Sequence, residues 1–155
     1  MVGLDLGGTK IAAGVFDGKR LLSKVVVPTP KEGGERVAEA LAEAAERAER
    51  EAGVRGEAIG LGTPGPLDFR RGVIRFAPNI PGVQDFPIRR ILEEATGRPV
   101  FLENDANAAA LAEHHLGAAQ GEESSLYLTD STGIGGGVVL GGREPREETG
   151  RRGAV

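Results

Sequence analysis

The chain has 155 residues, enough for one domain and part of another, and a domain of that size buries roughly 70% of its unfolded surface without cross-links. It contains no cysteine and only two histidines, adjacent at His114 and His115, which excludes a disulfide framework, a thiolate zinc site and a cysteine nucleophile and makes a multi-histidine metal centre hard to build. Its 19 Lys and Arg against 23 Asp and Glu leave a net charge of −4, so there is no basic surplus to neutralise nucleic-acid phosphates, and no apolar run approaches the ~18 residues that span a bilayer.

Val2 to Leu6, Ile11 to Phe16 and Leu21 to Val27 are apolar runs separated by Gly7-Gly8 and Asp17-Gly18. The Asp-Gly pair is a strong hairpin signal, so this stretch reads as an antiparallel meander. Asp5 is an acid where no secretory or mitochondrial leader would carry one, which predicts a cytoplasmic, soluble protein. From Val37 to Ala52 apolar residues fall at 37, 38, 41, 44, 45, 48 and 52, the spacing of a helix, with Gly53 placed as its C-terminal cap.

Ala58 to Gly62 reads as a short strand ended by Thr63-Pro64-Gly65-Pro66, and a turn over Asp68 to Gly72 leads into the apolar run Val73 to Phe76. Ile88 to Ala95 reads as a helix, Val100 to Leu102 as a strand, and Asp105 to Leu116 as an alanine-rich helix. Leu126 to Leu128 and Val138 to Leu140 flank Gly133 to Gly137, predicting a second strand, glycine turn, strand unit. Strands alternating with helices imply an α/β layer structure, and the opening meander makes its sheet mixed. The strands of the second hairpin, if left uncovered, invite pairing with another copy, so a homo-oligomer is expected.

Glycine makes up 25 of the 155 residues, about twice the average share. Setting Asp5 over Asp130 aligns Leu4-Asp5-Leu6-Gly7-Gly8 with Thr129-Asp130-Ser131-Thr132-Gly133, and each block precedes an apolar strand. Glycine hairpins resemble one another, but two at a domain-sized separation favour a duplicated fold whose two domains each offer one hairpin to a shared cleft. Backbone amides at such turns cradle phosphate oxygens, since no side chain holds the ligand away. Neither turn is a Walker loop or a Rossmann fingerprint, because each leads into a strand. Glu103-Asn104-Asp105-Ala106-Asn107 stands between a strand and a helix, where polar side chains meet the positive end of a helix dipole. Asn104 or Asp105 can equally be the helix cap there, and capping does not exclude catalysis.

DLGGTK at 5–10, GLGTPGPLD at 60–68, APNIPG at 77–82, ENDANAAALAE at 103–113 and STGIGGG at 131–137 resemble, in order and spacing, the ROK family of sugar kinases and related repressors, with glucokinase-like members nearest. The resemblance implies an actin-like, ribonuclease-H-like ATPase fold of two domains, the first over residues 1–117 and the second begun at 118–155. It implies ATP-dependent phosphorylation of the terminal hydroxyl of a hexose, with magnesium. Asp105 is then the general base, and Asn104, Asn79 and the backbone at Gly65 hold the sugar. Gly7, Gly8 and Thr9 form the first phosphate loop, Thr132, Gly133 and Gly135 the second, and Asp5 orients magnesium, through water in the usual manner of that ion. Lys10 is either a phosphate contact or a solvated strand residue. His114 and His115 are expected at the surface or partly packed, and Arg70, Arg71, Arg89 and Arg90 to be solvated, with dimer contacts as the other reading. The repressor branch is disfavoured, since its DNA-binding helices would have to precede the first glycine loop.

Family members continue past the second phosphate loop into a Gly-Glu-x-Gly-His segment and a cysteine cluster that this chain lacks. The expectation is a truncated or frame-disrupted product or an isolated fragment, and the competing reading is a non-catalytic, sugar-binding half-domain.

Overall fold

The computed structural model describes residues 1–130 and 134–143. They form two compact units, divided between Glu103 and Asn104. This division falls earlier than the 117/118 boundary read from the sequence, for the helix that follows Asn104 packs on the second hairpin.

The first unit is built on a five-stranded sheet. β1 (Val2–Leu6), β2 (Lys10–Asp17) and β3 (Arg20–Pro28) form the expected antiparallel meander. β4 (Ile59–Thr63) joins β1 in parallel, pairing Val2 with Ile59 and Asp5 with Gly62. With β8 (Val100–Asn104) the order is β3-β2-β1-β4-β8. Alternation sends Val2, Leu4 and Leu6 of β1 and Ile11, Ala13 and Val15 of β2 into the core. There they meet the buried stripe of α1 (Gly34–Ala52): Val37, Ala38, Leu41, Ala44, Ala45 and Ala48. Alanines at four of these six positions let the helix approach the sheet closely. The other face of α1 carries exposed pairs such as Arg47–Glu51 and Arg36–Glu39, which water screens. Gly53 ends the helix in the left-handed conformation, φ 67°, as a C-terminal cap requires.

A three-stranded antiparallel sheet, β5 (Leu67–Asp68), β6 (Val73–Phe76) and β7 (Gln84–Phe86), follows β4. The sequence reading had only its middle strand. α2 (Ile88–Thr96) buries Ile88 and Leu92. Arg98, just before β8, is buried and ion-pairs with Glu49 of α1 while donating to the Gly56 carbonyl oxygen at 2.9 Å.

In the second unit, α3 (Asp105–Leu116) packs on a hairpin of β9 (Ser124–Asp130) and β10 (Ile134–Leu140). The register pairs Gly135 with Thr129, Gly136 with Leu128 and Gly137 with Tyr127. The glycine turn expected over Gly133 to Gly137 is therefore corrected: Gly135, Gly136 and Gly137 are strand residues. The reason is close packing, for a methyl group on Gly137 would stand 2.6 Å from Ala110 Cβ and 2.8 Å from the Ala106 carbonyl oxygen. Glycine is the residue that lets a strand lie this near a helix. α3 turns Ala106, Asn107, Ala110 and His114 inward, and His114 Nδ1 lies 2.9 Å from Ser125 Oγ. His114 is thus a packed, hydrogen-bonded residue and His115 an exposed one. Leu126, Leu128 and Leu140 stand exposed on the hairpin. Among the described residues no helix is long and apolar enough to cross a membrane.

Candidate functional site

Within the first unit, the chain leaves β1 through Gly7, Gly8 and Thr9 and returns in β2. Gly7 N–H donates to the Lys10 carbonyl at 2.9 Å, which closes the turn. Gly8 packs against the segment around Asn79: a methyl group on it would lie 2.8 Å from Asn79 Cβ and 3.4 Å from the Asn79 carbonyl oxygen. Gly8 therefore leaves no room for a Cβ, and the loop touches the very turn that carries a predicted sugar contact. That turn is held by its own backbone bonds, Ala77 N–H to Val83 O at 3.1 Å and Ile80 N–H to Ala77 O at 3.0 Å, with Ile80 and Val83 buried beneath it. Asn79 itself is exposed.

Asp5 lies on β1 between the inward-facing Leu4 and Leu6, so it faces away from α1. Its partners in register are Ala12 and Gly62, and Asp5 is exposed. Among the described residues no group of three His, Cys, Asp or Glu side chains could hold a metal ion. A single exposed carboxylate such as that of Asp5 is a donor that suits magnesium, which usually keeps several of its waters. Lys10 is exposed and opens β2 opposite Pro28 of β3, its carbonyl accepting from the Gly7 amide. Gly65 lies in the loop after β4, joined to Pro66 by a cis peptide bond, and the Pro66 carbonyl accepts from Arg75 N–H at 2.9 Å.

In the second unit, Asn104 is the N-cap of α3, extended at φ −66° and ψ 140°, its Oδ1 accepting from the Ala106 and Asn107 amides at 3.1 and 3.3 Å. Asp105 is the first helical residue. It is exposed, and its Oδ1 accepts from Ala106 N–H at 2.8 Å. The two readings left open by the sequence separate here: Asn104 caps the helix, and Asp105 presents a carboxylate at the positive end of the helix dipole, a position that steadies negative charge. Asn107 is buried, with an Oδ1 that finds no partner among the described residues. Gly135 stands on β10 beside Thr129, while Thr132 and Gly133 lie outside the described residues.

The sequence reading missed two neighbours of these positions and the packing of one arginine elsewhere in the first unit. Thr29 and Lys31, just past β3, donate to the carbonyls of Gly7 and Gly8. Arg89, expected to be solvated, instead donates from Nη2 to the Phe69 carbonyl at 2.8 Å and packs against Gly72, where a methyl group would meet Arg89 Cβ at 2.6 Å. A contact made across 20 or more residues leaves no local signal.

A family model described as the ROK family matches residues 1–155. A glucokinase from Thermotoga maritima is 41% identical over 149 residues, 92% of this chain and 45% of the glucokinase. The crystal structure of a ROK hexokinase from Thermus thermophilus superposes with a TM-score of 0.89 at 95% identity, covering 96% of this chain and 49% of that one. A ROK glucokinase from Streptomyces griseus, solved with glucose and AMPPNP, gives a TM-score of 0.88 at 41% identity over 97% of this chain and 47% of that one. The chain thus spans about half the length of the relatives it matches, and it shares their actin-like α/β fold.

Proposed function

This chain belongs to the ROK family, and we propose on that premise that it is the part of an ATP-dependent sugar kinase that carries the catalytic base, transferring the γ-phosphoryl group to the terminal (6-) hydroxyl of a hexose such as glucose. The observation that carries the reading is the junction of β8 and α3, where Asn104 caps the helix and Asp105 holds an exposed carboxylate at its positive end. Asp105 takes the proton of the sugar hydroxyl while that oxygen attacks the γ-phosphorus; the bond from γ-phosphorus to the bridging oxygen breaks, and ADP leaves. Asn104, Asn79 and the backbone at Gly65 orient the sugar. Gly7, Gly8 and Thr9, together with Thr132, Gly133 and Gly135, face the phosphates, and the close packing of Gly8 on Asn79 supports a first phosphate loop that adjoins the sugar contacts. Asp5 is the residue that would hold magnesium, which would neutralise charge on the phosphates.

The test is Asp105→Asn in an assay of ATP-dependent hexose phosphorylation. Turnover falls by about 100-fold or more while sugar affinity stays within a few-fold, because loss of a general base acts on the chemical step. Unchanged turnover would refute the assignment of the base. Saturable hexose binding by the unsubstituted protein with no phosphoryl transfer would favour a non-catalytic sugar-binding role instead.

A further inference from the structure

For loop amides to present their N–H groups to an anion, the carbonyls of the same turn must point elsewhere, and a carbonyl turned into the protein needs a donor. At the first glycine loop those donors come from one short segment. Thr29 Oγ1 donates to the Gly7 carbonyl at 2.7 Å. Thr29 N–H donates to the Thr9 carbonyl at 2.9 Å. Lys31 Nζ donates to the Gly8 carbonyl at 2.5 Å. Three consecutive carbonyls of the loop thus end on Thr29 and Lys31, immediately beyond the last residue of β3. Thr29 is only 4% exposed, so water competes little for its hydroxyl, and replacing it would leave the Gly7 carbonyl without that donor.

We infer that Thr29 and Lys31 are positioning residues for the first phosphate loop, setting the direction of its carbonyls so that the amides of Gly8 and Thr9 meet the polyphosphate of a nucleotide, while the Gly7 amide closes the turn on the Lys10 carbonyl. This rests on the reading of Gly7 to Thr9 as a phosphate loop. A strap with a purely structural duty would hold the end of β3 against β2 and leave anion affinity alone.

The experiment is a titration of the 155-residue chain with magnesium tripolyphosphate, following the amide resonances of Gly8 and Thr9 by NMR. In the unsubstituted chain these amides shift saturably. Thr29→Val, which keeps the shape and removes the hydroxyl, weakens binding about five- to tenfold, the effect of one lost hydrogen bond, and Thr29→Ser restores it to within about twofold. Lys31→Met weakens binding by a similar factor and Lys31→Arg restores it, whereas Lys24→Met, which removes an exposed lysine of β3, changes it by less than about twofold. Lys31 is exposed, so its variants report on the loop even if Thr29→Val unfolds. Equal affinities for the unsubstituted chain, Thr29→Val and Lys31→Met would overturn the inference with the phosphate loop intact. Loop amides that ignore tripolyphosphate in the unsubstituted chain would overturn the phosphate reading itself, and the inference with it.

Discussion

Replacing Gly137 by alanine adds one methyl group where β10 meets α3. It would stand 2.6 Å from Ala110 Cβ, 2.8 Å from the Ala106 carbonyl oxygen and 3.1 Å from Asn107 Cα. Carbon atoms rest at about 3.5–4.0 Å from one another, so strand or helix must retreat by about 1 Å. Two of the three obstructing atoms are backbone, which no rotamer change can relieve. Alanine in a strand would by itself stabilise by about 0.5–1 kcal/mol through the unfolded chain, and overpacking costs about 1–3 kcal/mol. The net expectation is a loss of about 1–2 kcal/mol confined to the second unit. Gly135→Ala is the internal control, two residues away on the same face of the strand, since its methyl group meets Thr129 Cγ2 at 3.2 Å and Ala106 Cβ at 3.6 Å; this variant is expected within about 0.5 kcal/mol of the parent. Native-state hydrogen exchange reads the difference directly. Amides of α3 and β10 should exchange about five- to thirtyfold faster in Gly137→Ala, while those of β1 and β4 keep their protection. Unchanged protection in Gly137→Ala, or equal loss in both variants, would refute the close-packing account of the glycine-rich strand.

Gly8→Ala drives a methyl group toward Asn79 Cβ, 2.8 Å away, and should raise the KM for both ATP and hexose several-fold in steady-state kinetics; a change in one alone would show that the loop and the Asn79 turn are not mechanically joined. Asn104→Ala removes the cap from two amides and should cost about 1 kcal/mol of local stability, read as faster exchange at Ala106 and Asn107, with Asn104→Asp preserving most of it. Arg98→Met leaves Glu49 with its charge buried, its ion-pair partner gone and the Gly56 amide, at 2.7 Å, still bonded to its Oε1, and a loss of about 3–5 kcal/mol is expected in urea denaturation, part of it recovered by the double variant Arg98→Met, Glu49→Leu.

The meander and the helices over 34–52 and 105–116 were legible in the sequence because the forces that form them act locally. Alternating apolar residues bury one face of each strand, the 3.6-residue spacing of Val37, Leu41, Ala44, Ala45 and Ala48 buries one stripe of a helix, and Gly53 adopts a left-handed cap that other residues resist. The candidate site was legible for a related reason: Gly7, Gly8, Asn104 and Asp105 sit at the turn and helix start that their own residue types favour. Tertiary structure decided what local patterns leave open. β7 has three residues without alternation and exists because β6 offers it a ladder. Gly135 to Gly137 look like a turn in isolation, yet they lie in β10, where their small size allows α3 to come close. Thr29 and Lys31 reach the glycine loop across 22 and 23 residues. A glycine's absent side chain and a carbonyl's need for a donor are fixed by residue type, but which surface fills that space and which donor arrives depend on how the segment after β3 and the Asn79 turn pack around the loop, and only the folded chain brings those together.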